Sequence, residues 1–183
     1  MIRALIFDCF GVLYSDGKGH IENLCPLDKQ EELRSLYRQS DYGFIGREEF
    51  IAQVTKLINI SREDLMSIER EEYVRNKPLV DFIRAKKPHY KTGLLSNVGE
   101  AFLESLFTEQ EIKELFDEII LSSKVGMMKP SQEIYDLAAS RLGFLPEECV
   151  FIDDRLPNVD GAQMAGMKGL LFTSNHQLEI ELT

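Results

Sequence analysis

Cations are in short supply in this chain. Its 21 Lys and Arg face 31 Asp and Glu, for a formal charge of −10. So acidic a balance leaves no cationic face for a phosphate backbone and excludes nucleic acid as a partner. Long apolar runs are missing too. None approaches the ~20 residues of a membrane span, and no basic stretch leads into an apolar signal core at the N-terminus. These absences predict a cytoplasmic protein with no membrane partner. Cysteine is sparse: Cys9, Cys25 and Cys149 are odd in number and form no C-x-x-C pair, as expected of reduced thiols rather than a disulfide framework. The histidines, His20, His89 and His176, are scattered without metal-ligand spacing. No segment repeats, and none is of low complexity.

The 183 residues, 44% of them hydrophobic and 28% charged, suffice for one α/β domain with a modest insertion. Short apolar runs of the kind a buried parallel strand shows recur at residues 2–7, 91–95, 118–121, 149–152 and 169–172. Helical patterns lie between the later ones. They are carried by Leu79, Phe82 and Ile83, by Phe102, Leu103 and Leu106, by Ile134, Leu137, Ala138 and Leu142, and by Val159, Ala162 and Met164. Residues 108–111 read as the capping box of a further short helix. The alternation predicts an α/β fold, a doubly wound, Rossmann-like parallel sheet of about five strands. After the third strand a loop containing Gly126 is expected. The acidic tail after Asn175 is expected to be loose.

Residues 14–76 break the alternation. They read as helices starting at Asp28, Gly46 and Ser61, with apolar stripes that include Leu33, Leu36, Phe50, Val54, Leu57 and Leu65. A small helical block inserted after strand 1 is placed to fold over that strand's end as a cap. The chain then divides into a core of residues 1–13 and 77–183 and a cap of residues 14–76.

Chemistry-bearing residues collect at strand ends. Asp8, Ser96-Asn97 and Asp153-Asp154 each follow a strand, and Lys129 sits in a loop ahead of a helix. Ligands of open α/β sheets bind beyond the carboxyl ends of the strands, so these groups can meet in one cleft. Taken singly, each has a plain structural alternative: an acid closing a strand, a turn, a loop. The adjacent acids Asp153 and Asp154 repel one another unless a cation relieves them. A hard divalent ion such as Mg²⁺ suits oxygen-only donors. Cys9 belongs to the opposite side of the extended segment from Asp8 and is not expected to be a nucleophile.

The order Asp8-x-Phe10-Gly11-Val12-Leu13, Leu95-Ser96-Asn97, Lys129-Pro130 and Asp153-Asp154 resembles the four motifs of the haloacid dehalogenase-like hydrolase superfamily. Residues 14–76 resemble the helical cap that one subgroup carries after motif one, and Gly46-Arg47-Glu48-Glu49-Phe50 is similar to a segment common in such caps. The likeness covers essentially the whole chain. It implies phosphoryl transfer through an aspartyl-phosphate, with Asp8 as nucleophile. It implies Mg²⁺ held by Asp8, the backbone carbonyl of Phe10, Asp154 and, directly or through water, Asp153. Ser96 and backbone N–H groups near Asp8 and Asn97 would bind the phosphate, and Lys129 would neutralise nucleophile and phosphate. The implied substrate is a small phosphorylated metabolite such as a sugar phosphate. The pattern lies nearest the bacterial glucose-1-phosphate phosphatase-like branch.

Phe10 departs from the usual phosphatase motif, which has a second Asp two residues after the nucleophile. That Asp protonates the leaving alcohol and activates water, and such help is worth ~10²–10⁴-fold. Three readings stay open. The first is a phosphatase in which Tyr14, Asp16, a cap residue or a water moves the proton. The second is a weak or inactive relative that binds or regulates. The third is a 2-haloacid dehalogenase, whose motif has an aromatic residue at this position and whose nucleophile needs no metal. Asp153-Asp154 speak against the third, since a metal-free site for an anion gains nothing from two further negative charges. Arg34, Arg38, Tyr42, Arg47 and Lys56 are the cap residues that would choose the substrate, unless they form a solvated helix face.

Overall fold

The computed structural model describes residues 1–17 and 19–182. β1 (Ala4–Phe7) is buried on both faces. Its alternation sends Leu5 and Phe7 into one apolar cluster and Ala4 and Ile6 into another. β1 lies mid-sheet and parallel to both β2 (Lys91–Ser96) and β4 (Cys149–Asp153), with Phe7 opposite Leu94 and Ile152. β3 (Glu118–Leu121) and β5 (Lys168–Leu171) complete an all-parallel sheet of five strands in the order β3-β2-β1-β4-β5. The chain runs outward from β1 through β2 to β3, then restarts at β4 on the other side of β1. The connections therefore diverge between β1 and β4, where open α/β sheets leave a crevice. Asp8 and Asp153 stand at the carboxyl ends of those two strands.

Between β1 and β2 come four helices with a core of their own: α1 (His20–Leu24), α2 (Gln30–Asp41), α3 (Arg47–Ile58) and α4 (Arg62–Glu72). They pack Ile21, Leu33, Leu36, Phe50, Val54 and Leu65 together. α4 starts where Ser61 and Asp64 form a reciprocal capping box. Asp28 does not cap α2. It lies in a 3-10 turn (Leu27–Lys29) that follows Pro26, and Lys29 precedes the helix without a side-chain cap. The fixed φ of Pro26 starts the turn a step earlier than the acidic spacing suggests.

The two ends of this helical insertion are stitched to each other. Ser15 N–H donates to Val74 O and Asn76 N–H to Leu13 O, both at 2.8 Å, while the Asn76 side chain donates to Val12 O at 3.0 Å. The rest of the chain supplies α5 (Lys77–Lys86), α6 (Glu100–Leu106), α7 (Glu109–Leu115), α8 (Ser122–Val125), α9 (Gln132–Leu142), α10 (Leu156–Met164) and α11 (Asn175–Glu181).

The insertion also meets the sheet edge at α8. Ser122 Oγ donates to Asp41 O and accepts from Val98 N–H at 3.0 Å. Gly43, at φ +76°, lies so close to Ser123 that a Cβ would come within 2.6 Å of its carbonyl oxygen.

Two further expectations do not hold. Ser122 and Ser123 open the short helix α8 instead of a loop, with Gly126 as its left-handed C-terminal residue. The segment after Asn175 is not loose but forms α11, capped by Ser174 and anchored by the buried Leu178. No helix among the described residues is long and apolar enough to cross a membrane.

Candidate active site

Lys129 sits between two acids. Its Nζ lies 2.8 Å from Asp8 Oδ1 and 2.7 Å from Asp153 Oδ2, with its side chain 1% exposed. Burying an ammonium costs several kcal/mol unless it is paired, and here two carboxylates offset that cost. Asn97 holds the backbone of this lysine, accepting Lys129 N–H at 2.9 Å and donating to Lys129 O at 3.0 Å. Asp153 is held in turn by Asn158 Nδ2, 3.0 Å from each carboxylate oxygen, and by Arg155 N–H at 2.8 Å. Asp154 is different: its Oδ1 is buried and has no hydrogen-bond partner.

Oxygens of Asp8, Asp153 and Asp154 lie within 4.8 Å of one another. Three carboxylates against one ammonium leave a formal excess of two negative charges in an all-oxygen site, which fits a hard divalent cation. Gly11 makes room for this grouping. At φ +77°, a Cβ there would fall 2.1 Å from Asp154 Oδ2.

Beside the acids is a cavity with a free hydroxyl on its wall. Ser96 is buried with its Oγ unpartnered, and it lines a cavity of about 450 Å³ with Asp8, Asn97, Lys129 and Asp154. Phe10 forms part of the wall. Its ring centroid is 5.1 Å from that of Tyr73 and 5.7 Å from that of Phe102. The Arg47 guanidinium lies 4.6 Å from the Phe102 centroid and forks onto Glu69, with Nη1 to Oε1 at 3.0 Å. An aromatic side chain at position 10 thus packs against the insertion.

The structure brings Asp8, Phe10, Ser96, Asn97, Lys129, Asp153 and Asp154 together. It leaves Cys9 out: the thiol is buried in the cluster of Leu5 and Phe7, and burial pushes its pKa well up. Of the substrate-choosing candidates, Arg38 and Arg47 line the cavity. Arg34 pairs with Glu31 in solvent, Tyr42 stacks on Phe44, and Lys56 is exposed. Tyr14 points away and donates its hydroxyl to Leu106 O. The sequence reading gave Asn158 no role, although an Asn in the first turn of the helix after Asp153 was a usable signal. It marked Arg47 as a cap candidate but not its pairing with Glu69.

Burial dominates the Asp8 carboxyl; with Lys129 pulling down and Asp153 pushing up, it reaches about 7. Asp41, at the end of α2 on the same cavity, is pushed by burial to about 7 as well. A carboxyl raised on folding keeps its proton in the native state at pH values where the unfolded chain has lost it, so stability falls as pH rises through that window. Metal-free protein is therefore expected to lose thermal midpoint from about pH 4 to pH 7. Asp117 acts lower down: burial pushes it up, but Lys91, the Thr92 N–H and Lys87 outweigh that and hold it at about 2. Its contribution disappears only as pH falls below about 4. Melting curves in chelator across pH 3–8 check this, and a midpoint that climbs between pH 5 and 7 contradicts it.

At the switch point of the parallel sheet, acids gather round a buried lysine beside the unpartnered Ser96 Oγ. Residues 2–166 match the model of the haloacid dehalogenase-like hydrolases, and the chain belongs to that family. It is 44% identical to a glyceraldehyde 3-phosphate phosphatase of Methanopyrus kandleri over 91% of this chain and 82% of the relative. It is 23% identical to an (S)-2-haloacid dehalogenase of Pseudomonas fluorescens over 90% and 82%. The chain spans only 36% of the length of drimenol cyclase DrtB of Aspergillus calidoustus, with 25% identity. Among solved structures, a HAD family enzyme of Bacteroides thetaiotaomicron in complex with magnesium and inorganic phosphate superposes with a TM-score of 0.81. It is 24% identical over 96% of each chain.

Proposed function

We propose that this hydrolase is a Mg²⁺-dependent phosphatase of small phosphorylated metabolites, working through an aspartyl-phosphate on Asp8. The observation that carries the proposal is the pairing of two unpartnered oxygens across one cavity. Asp154 Oδ1 suits a cation and Ser96 Oγ an anion; both are buried without a partner, and both residues line the cavity that Asp8 and Lys129 share. Asp8, the Phe10 carbonyl, Asp154 and, directly or through water, Asp153 would hold Mg²⁺. When bound, that ion supplies the positive charge that lets an anionic carboxylate approach an anionic phosphate.

Asp8 attacks phosphorus, and Ser96 Oγ donates to a phosphoryl oxygen. Lys129 offsets the charge on nucleophile and phosphate as a compact ammonium. Asn97 and Asn158 act at one remove: the first positions the backbone of Lys129, the second orients Asp153. Residues 14–76 serve as the cap, and the cavity beneath suits a substrate of metabolite size. The relatedness to a glyceraldehyde 3-phosphate phosphatase supports a triose or sugar phosphate.

The dehalogenase relative, together with Phe10, favours a second reading. The two separate in one assay: phosphate release from triose, sugar and aryl phosphates with and without Mg²⁺, beside halide release from 2-chloropropionate in chelator. Metal-dependent phosphate release is expected. Metal-free halide release, with no phosphate released, rejects the proposal.

Gly11→Ala tests the cation position. The strained φ should cost ~1–3 kcal/mol of stability, and displacing Asp154 should weaken the Mg²⁺ requirement's midpoint about 10–100-fold. A Mg²⁺ titration indistinguishable from the parent would show that Asp154 is not where the cation binds.

A further inference from the structure

The wall at Phe10 leaves the proposed reaction without a proton donor in the turn after β1, and the donor has to come from elsewhere on the cavity. Tyr14 is spent on Leu106 O, and Glu69 is forked by Arg47. Asp16 and Glu22 line the cavity from exposed positions. Among the described residues that line the cavity, Asp41 is the remaining acid outside the proposed nucleophile and cation ligands. It closes α2, and its carbonyl oxygen accepts from Ser122, the same hydroxyl that accepts from Val98 N–H two residues beyond Ser96. That link fixes the end of α2 beside the end of β2. Among the described residues, the Asp41 carboxylate has neither a hydrogen-bond nor an ion-pair partner, although Asp41 lines the cavity shared by Asp8, Ser96 and Lys129.

We propose that Asp41 is the catalytic acid–base of this site, supplied by the helical insertion in place of the acid that Phe10 excludes. The assignment rests on the phosphatase reading above. In the first half-reaction Asp8 Oδ bonds to phosphorus, the bond from phosphorus to the leaving oxygen breaks, and the Asp41 proton passes to that oxygen. The products are a free alcohol, an aspartyl-phosphate and an Asp41 carboxylate. In the second half, water attacks phosphorus, Asp41 takes a proton from it, and the acyl-phosphate bond breaks. Phosphate leaves, and both acids return to their starting states.

Burial raises the Asp41 pKa to about 7, so it is half-protonated near neutrality. That is where a group serving as acid and then as base works best. The charged groups that line the cavity with it are Arg38 on its own helix, Asp16 and Glu22, Arg47 with Glu69 of α3 and α4, and Asp8, Lys129, Asp154 and Arg155 of the core. α8, against which α2 ends, carries Lys124.

The test compares Asp41→Asn with the parent in Mg²⁺, using an alkyl phosphate and an aryl phosphate. The alkyl leaving group needs a proton and the aryl one does not. The variant should lose about 10²–10⁴-fold in kcat/KM on the alkyl phosphate and less than about tenfold on the aryl phosphate. The parent's fall in alkyl kcat/KM at high pH should vanish from the variant's profile. Inhibition by inorganic phosphate should be retained, showing that the site still forms. Equal losses on both substrates, or a rise in KM with kcat unchanged, would overturn the assignment and make Asp41 a binding residue. Asp8→Asn run alongside keeps the two claims apart. If it abolishes release from both substrates while Asp41→Asn leaves their ratio unchanged, Asp41 alone is rejected. If the parent releases no phosphate from either, both claims fall.

Discussion

Replacing Asp8 by asparagine should abolish phosphate release, by about 10⁴-fold or more, and at the same time raise the melting temperature of the metal-free protein at pH 8. The loss follows from the proposed chemistry: an amide of the same shape cannot form the acyl-phosphate, and removing a nucleophile forfeits nearly all of the chemical step. The gain follows from the environment. Burial and the Asp153 charge push the Asp8 carboxyl up further than Lys129 pulls it down, leaving it near 7. An ionised Asp8 is therefore a net burden on the fold at pH 8, and a neutral isostere relieves it. The gain should shrink toward pH 5, where the parent's Asp8 is already protonated. Added Mg²⁺ should erase it by stabilising only the parent. Phosphate assays and melting curves at pH 5 and 8 are sufficient. Residual activity above about one per cent would remove Asp8 from the nucleophile's role. A lower melting temperature at pH 8 would make it a structural anion.

Lys129→Met should fail in both respects. The variant keeps the side chain's bulk but leaves Asp8 and Asp153 facing each other in a buried site, one 6% and the other 0% exposed. Taking one partner out of a buried ion pair costs ~3–5 kcal/mol, because the charge left behind is no longer compensated. That penalty belongs to ionised carboxyls, so it should be largest at pH 8 and fall as acid protonates them. Activity should drop as well, since the ammonium pairs directly with Asp8. Comparing the variants is more informative than either alone, because they act on one salt-bridged cluster with opposite signs in stability. If Lys129→Met melts with the parent at pH 8 in chelator, the buried pairing has been assigned too much weight.

Much of this arrangement was legible in the sequence because its determinants are local. Runs such as Leu5-Ile6-Phe7 and Val150-Phe151-Ile152 announce buried strands, and the polar residue after each run marks the sheet edge. Ser61-x-x-Asp64 and Thr108-x-x-Glu111 announce helix starts, since the capping box is made of residues three apart. What stayed hidden depends on residues brought together from a distance. Arg47 and Glu69 meet across two helices, and Asn97 meets Lys129 from another loop. Asp41 reads as one acid among thirty-one Asp and Glu, until the fold brings it, half-buried, to the cavity. Asp28 misled because the acidic spacing of a helix start is shared by the 3-10 turn that precedes α2. The tail misled because its polar composition masks one apolar residue, Leu178, at the depth of the core.

The stitching of Ser15 to Val74 and Asn76 to Leu13 has an evolutionary and engineering consequence. To the sheet, everything from Tyr14 to Arg75 is a closed hairpin whose two legs already pair with each other. Closing such a loop costs little more for a long excursion than for a short one. Related proteins can therefore exchange the whole segment as a module. The nucleophile and cation ligands proposed at the strand ends would stay with the recipient, while the donor would bring its own cavity-facing surface and whatever stands in place of Asp41.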